Sequence, residues 1–269
     1  MLVGLRALLT SYQEDVLAVI LCEGPEPTPE PTPEPAPETK FPEGHLDTDL
    51  DGKRLPVSIG HANYPSNPHQ YGRTVRDGSA RSQVLHSARH GVLASNAELS
   101  DLVVHTCGGD GVKWEYGSLD MRRLHISHLG LEDKAHADGM QARGNGSNAY
   151  ISDTFFDMPV DVGDGTKSNA CVLLQSATGD MGVAEFERCI FYGGNYTLWT
   201  SAKKTDNKVC KVVVRDSAFI VDVGKTPRYG LFALEGEAEF HNCRVYELQS
   251  DGTLKLAHTG DPREYQLPK

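Results

Sequence analysis

Side chains able to do chemistry concentrate in one segment, Glu132-Asp-Lys-Ala-His136-Ala-Asp138-Gly-Met-Gln141-Ala-Arg143. In alternating strand geometry Met140 and Ala142 point inward, which turns Gln141 and Arg143 outward beside the stretch that carries Lys134 and His136. Lys134 or His136 would serve as a base if burial or a neighbouring charge lowered its pKa, and Arg143 would neutralise the carboxylate of a uronate. Lys113 joins Gln141 and Arg143 as a substrate-binding candidate. Trp114 and Trp199, with Tyr116, Tyr192 and Tyr196, are candidate platforms for sugar rings, packing at turns being the competing fate.

Asp110 and Asp138 open two similar segments, Asp110-Gly-Val-Lys113 and Asp138-Gly-Met-Gln141. Stacked on neighbouring strands about 4.8 Å apart, their carboxyl groups would lie near the roughly 5 Å separation of an acid and nucleophile pair in retaining glycoside hydrolysis. A structural reading competes with this one. Asn169 and Asn195 hold the same position in later segments, so all four residues would form a ladder that caps turn backbone. The metal candidates are Asp47, Asp49 and Asp51 in Asp47-Thr-Asp-Leu-Asp-Gly52, which begins like a calcium loop and then lacks its twelfth-position glutamate, Ser58 standing there. A solvated acidic turn is the alternative, and no cofactor other than calcium is expected. Gly108-Gly-Asp-Gly111 lacks the lysine and serine of a phosphate loop, and no G-x-S-x-G elbow occurs.

The elements that must position these residues show as a repeat. The pattern h-x-x-s-x-h, with h apolar and s small or apolar, fits segments starting at Val104, Ile126, Ile151, Phe186, Val214 and Phe240, only the first lacking its last apolar residue. Their spacing is that of stacked short units. A second short strand follows most copies, at Asp110-Gly-Val-Lys, Asp138-Gly-Met-Gln, Asn169-Ala-Cys-Val, Asn195-Tyr-Thr-Leu and Tyr229-Gly-Leu-Phe, with His90-Gly91-Val92-Leu93 as a poorer early copy. The distance between first and second strands varies while the strands stay alike, as loops do on a fixed stacked core.

This repeat resembles the right-handed parallel β-helix of the pectate-lyase-like superfamily. The resemblance implies an all-β fold, a right-handed parallel β-helix solenoid over residues 45–250, followed by a polar tail at 251–269. The arginine pattern R-x-P-x-x-R of pectate lyases is absent, as is any polygalacturonase-like aspartate triplet beyond Asp110 and Asp138.

Two further segments precede that domain. Leu2, Leu5, Leu9, Tyr12, Val16 and Val19 form a heptad-like seam in residues 1–24, an amphipathic helical arm that needs a partner to be stable in water. Residues 25–44 form a Pro/Glu-rich linker whose alternating prolines favour extended polyproline II. The layout of arm, spacer and β-helix resembles phage tailspikes and β-helix minor tail or head-fibre proteins. That likeness implies a virion location on the phage particle surface, attachment to other virion structural proteins through residues 1–24, a homotrimer, and host surface polysaccharide as the partner.

The 269 residues carry a net charge of −11, which argues against the basic face a nucleic-acid binder needs. No apolar run approaches 18 residues, so membrane insertion is not expected, and Glu14 and Asp15 interrupt what would be the core of an export signal. Six widely spaced cysteines without a C-x-x-C pair read as buried thiols. Three functions remain open: a virion protein binding host glycan with or without depolymerase action, a free polysaccharide lyase or glycoside hydrolase, and a structural decoration protein.

Overall fold

In the computed structural model, residues 72–131, 136–159, 168–203 and 205–268 are described. The expected arm at 1–24, the linker at 25–44, the Asp47, Asp49 and Asp51 loop, Cys22 and Lys134 all lie outside the described residues.

The described residues form an all-β structure, a curled sheet that is mostly parallel and consistent with a β-helix-like fold. Three long strands open it: β1 (Arg73–Ser87), β2 (Val92–Cys107) and β3 (Val112–Leu129), paired in parallel along their lengths. From β3 onward each level breaks into shorter strands on three faces. Face A continues through β4 (Ala137–Ala142), β7 (Ser168–Gln175), β10 (Tyr196–Ser201) and β13 (Gly230–Leu234). Face B runs through β5 (Gly146–Ser152), β8 (Val183–Glu187), β11 (Lys211–Arg215) and β14 (Ala238–His241). Face C runs through β6 (Phe155–Met158), β9 (Ile190–Gly193), β12 (Ala218–Asp222) and β15 (Cys243–Leu248).

Like residues stack on like because every level repeats the same alternation. Ile126, Phe156, Phe191, Phe219 and Val245 form one interior column, and the rings of Phe156, Phe191 and Phe219 lie parallel with centroids 5.4 and 4.9 Å apart. Cys189, Ser217 and Cys243 fall into one buried column as the repeat implies, with the Cys189 amide donating to Ser217 Oγ at 3.0 Å. All five described cysteines are buried free thiols.

The structure corrects the register of the first two copies of the repeat. Ile151, Phe186, Val214 and Phe240 stack together, and the residue beneath Ile151 is Met121, itself above Leu99. The matching copies are therefore Leu99-Ser-Asp-Leu102-Val-Val104 and Met121-Arg-Arg-Leu124-His-Ile126. Val104 and Ile126 close their copies and do not open them.

The third position of the true repeat carries a signal that the apolar pattern hides. Ser82, Asp101, Arg123, Asp153, Arg188, Asp216 and Asn242 all adopt left-handed backbone, with φ from 48 to 57°. One such residue ends the extended run and turns the chain from face B to face C. Polar side chains at this corner also meet across levels. Arg123 grips Asp101 through two contacts of 2.6 and 2.9 Å, and Arg188 grips Asp153 at 2.7 and 2.9 Å.

Residues 251–269, read in the sequence as a polar tail, build the end of the sheet. β16 (Leu254–Gly260) pairs antiparallel with β15, and a 3-10 turn at Pro262–Glu264 follows. Tyr265 and Leu267 then pack back on the core, Tyr265 Oη donating to Glu247 Oε1 at 2.9 Å.

Candidate functional site

Strand alternation on face A decides which side chains reach solvent. Val112, Met140, Val172 and Leu198 point into the core, so their neighbours Lys113, Gln141, Leu173 and Trp199 align in an outer column that ends at Ala233, of which Leu173 is itself buried. Beside it runs a polar column of His90, Asp110, Asp138, Asn169 and Asn195, its levels joined by main-chain bonds at Gly91–Asp110, Gly111–Asp138 and Asn195–Asn169 and by the Asn169 side chain donating to Asp138.

The two columns are tied together by side chains three residues apart. Lys113 Nζ lies 3.3 Å from Asp110 Oδ2, Gln141 Nε2 donates to Asp138 Oδ2 at 2.6 Å, and the Tyr196 and Trp199 rings meet edge to face at 5.6 Å. At the next level Tyr229 tilts against Tyr196 with centroids 5.7 Å apart, and the Arg228 guanidinium lies 5.6 Å from the Tyr229 ring centre. The face thus grades from ionic and amide groups at one end to aromatic rings at the other. From His90 through Asp110, Asp138, Asn169 and Asn195 to Tyr229 there are five strand steps, about 24 Å at roughly 4.8 Å each.

The carboxyl groups sit deep in this arrangement. Asp110 Oδ1 accepts the Asp138 amide at 3.0 Å, and Asp138 Oδ1 accepts Asn169 Nδ2 at 2.9 Å. The Asp110 amide donates to His90 Nδ1 at 3.1 Å, and that same nitrogen lies 3.2 Å from Asp110 Oδ2. A neutral ring accepts from the amide there, whereas a protonated ring would donate to the carboxylate. Burial penalises the charged form of Asp110, but His90 and Lys113 outweigh it and hold the carboxyl below its usual value. Asp138 goes the other way. Its complete burial and the adjacent Asp110 charge push it well above the usual carboxylate range, the Gln141 and Asn169 donors offsetting only part of this.

The residues singled out by sequence are distributed as follows. Asp110, Lys113, Asp138 and Gln141 come together in one cluster on face A. His136 is exposed just before β4, and Arg143 is exposed just after it, its carbonyl accepting from Thr178. Trp199 is half-buried in the outer column. Trp114 is not a surface platform: it is 1% exposed, packs inside against Gly146, and donates from Nε1 to the Gly117 carbonyl at 3.1 Å. Its parity with Val112 on β3 turns it inward. Tyr192 is likewise buried, in an apolar cluster on face C with Phe155, Ile190, Ile220 and Tyr246.

His90 and Tyr229 are the members that the pattern of aspartates and asparagines left out. Each stands at the ladder position of its own level, His90 before Gly91 and Tyr229 before Gly230. The signal was the following glycine, not the residue type. Among the described residues no cluster of His, Cys, Asp or Glu is arranged to hold a metal ion, and no helix is long and apolar enough to cross a membrane. Compared with protein families, curated proteins and solved structures, the chain matches none.

Proposed function

We propose that the chain is a right-handed parallel β-helix solenoid whose face A binds a host-cell glycan along the strand stack. The carrying observation is the outer column that presents Lys113, Gln141 and Trp199, flanked by Tyr196 and Tyr229 at its aromatic end. A sugar chain presents apolar C–H faces and a rim of hydroxyls. Aromatic rings take the former, and amide, ammonium and carboxylate groups take the latter. Repetition of such groups from strand to strand suits a polymer of repeating units better than a single small molecule.

Binding without cleavage is the form that the carboxyl geometry favours. A general acid must reach the leaving oxygen directly or through one water, and Asp138 is fully buried beneath Gln141 and Asn169. Asp110 and Asp138 act here as ladder residues that hold Lys113 and Gln141 in place. Attachment to a phage particle through residues 1–24, a trimeric assembly and location on the virion surface complete the same proposal, supported by the resemblance of the layout.

Incubation of the purified protein with bacterial envelope polysaccharides tests this, reading binding and the release of reducing ends or unsaturated uronates together. The proposal expects binding without release, weakened about tenfold in Trp199→Ala, where a stacked ring is lost. Product release that disappears in Asp138→Asn would establish a depolymerase instead. A folded protein that binds no envelope polysaccharide would leave structural decoration as the function.

A further inference from the structure

His90 Nδ1 stands between two groups that require opposite protonation states of it. The Asp110 amide donates to it at 3.1 Å, and Asp110 Oδ2 lies 3.2 Å away. We propose that His90 is a positioning residue that makes face A sensitive to acidity: on taking a proton from solvent its ring claims Asp110 Oδ2, and Lys113 is released to a carboxylate on the glycan. The inference rests on the glycan reading of face A and adds the group that sets when Lys113 is available.

Three observations carry it. The first is mutual exclusion at one nitrogen. While Nδ1 accepts from the Asp110 amide, the ring is neutral and its proton sits on Nε2. The lone pairs of Nδ1 and Oδ2 then face each other with no hydrogen between them. A proton on Nδ1 turns that contact into a charge-assisted hydrogen bond and ends the bond from the amide.

The second is the competition for one oxygen. Asp110 Oδ1 already accepts the Asp138 amide at 3.0 Å, so the cations meet at Oδ2, which Lys113 Nζ approaches to 3.3 Å. Two cations on one oxygen repel each other in a half-buried setting. The imidazole is held: it is largely buried and seated against Gly109, where an added Cβ would come within 3.0 Å of Nδ1. The Lys113 ammonium sits on a flexible four-carbon stem at the edge of solvent, so it is the cation that leaves.

The third is the charge around the pair. Asp138, on the next level, is driven toward its neutral form by burial and by Asp110. Arg73, on the level beneath, donates from Nη1 to Gln83 Oε1 at 3.1 Å, and Arg89, beside His90 in the chain, is exposed. Asp110 is thus the carboxylate that His90 and Lys113 share. Imidazole is the side chain whose charge ordinarily changes between about pH 5 and 8, which sets the range of the test.

The test uses the full chain with a capsular polysaccharide containing glucuronate, and with the same polymer after its carboxyls are reduced to alcohols. Affinity is measured at about pH 5.5 and about pH 8 for the native protein, His90→Gln and Lys113→Met, with circular dichroism checking each fold. Glutamine accepts from the Asp110 amide and takes up no proton in this range. In parallel, NMR follows the Asp110 amide proton over the same range without glycan. The proposal expects native protein to bind the carboxylated polymer at least about fivefold more tightly at the lower pH, and the reduced polymer equally at both. It expects both variants to lose the gain, and the amide resonance to move with pH in the native protein and far less in His90→Gln. A gain that survives in His90→Gln, no gain in the native protein, or a native amide resonance that does not move would overturn the switch and leave the glycan reading of face A intact. Absence of binding to both polymers and to other envelope polysaccharides at either pH would overturn the glycan reading, and with it the role given to Lys113.

Discussion

The backbone amide of Asp138 donates to the carboxylate of Asp110 at 3.0 Å, so two acidic residues occupy consecutive rungs of a ladder that continues as asparagine. Placing two carboxyl groups on adjacent strands is tolerable because they are treated differently. Asp110 keeps its charge beside Lys113 and His90, and Asp138 is driven toward its neutral form by burial and by that charge.

Asp138→Asn is therefore expected to stabilise the protein. The folded pKa of Asp138 is raised, so the native state holds a proton that the unfolded chain releases above about pH 4. Native stability thus falls with rising pH through the window up to the folded value. Asparagine carries no such proton, and Gln141 need only rotate its amide to accept from it. Urea melts from pH 4 to 8 should show the variant's advantage growing with pH. A variant less stable than the native protein at every pH would contradict the assignment.

Asp110→Ala should act in the opposite sense. Its folded pKa is lowered, so its contribution is present above the unfolded value and is lost as pH falls through the folded one. Removal leaves Lys113 and the Asp138 amide without their acceptor, at a cost of about 2–3 kcal/mol at pH 7. The same urea titration measures it, and the deficit should shrink in acid.

The two tryptophans should separate spectroscopically. Trp114 is enclosed and bonded to the Gly117 carbonyl, and Trp199 is half-buried on face A. In Trp199→Phe the remaining emission should be blue-shifted and resistant to acrylamide. In Trp114→Phe it should be red-shifted and readily quenched, alongside a stability loss of about 1–3 kcal/mol from the altered core shape. The reverse pattern of quenching would place Trp114 at the surface.

Much of the fold was legible because four copies of the repeat, at Ile151, Phe186, Val214 and Phe240, are bounded by corners that break their strands. The earlier copies misled for a physical reason. β1 to β3 stay paired for 15–18 residues straight through their corners at Ser82, Asp101 and Arg123, so apolar residues on either side of a corner can pass for the opening position. The left-handed residue at the third position marks the true frame, but Ser82, Asp101, Arg123 and Asn242 share no single residue type. At the site, Asp110, Lys113, Asp138 and Gln141 were readable from two similar tetrapeptides. Trp114 was not, since its neighbour Lys113 points out and only parity with Val112 shows that the ring points in. Tyr229 comes beside Tyr196 because Tyr229-Gly-Leu-Phe repeats the second-strand pattern of Asn195-Tyr-Thr-Leu, whereas Arg228 lies before that pattern and was not readable from it.

The cysteines give a chemical check on burial. Burial pushes the Cys107, Cys189 and Cys210 thiols up to about 12 and Cys243 to about 11, and it raises Cys171 well above the usual thiol value. A Cys22→Ser variant at pH 8 should show negligible reaction with Ellman's reagent while native and five equivalents once unfolded. Rapid labelling of the native variant would mean that the interior columns are open.

The phenylalanine column is where the fold is most exposed to damage. Phe191→Ala removes the ring between Phe156 and Phe219 and should cost about 3–5 kcal/mol in urea unfolding, with loss of cooperativity across the later levels. A loss below about 1 kcal/mol would show that the levels do not share one core.

The central claim, that face A is a glycan-binding surface, is tested most directly by a crystal structure of the full chain with a bound envelope oligosaccharide. The account predicts sugar density along Lys113, Gln141, Trp199 and Tyr229, running across the strands. Density confined to face B or face C, with face A bare, would contradict it.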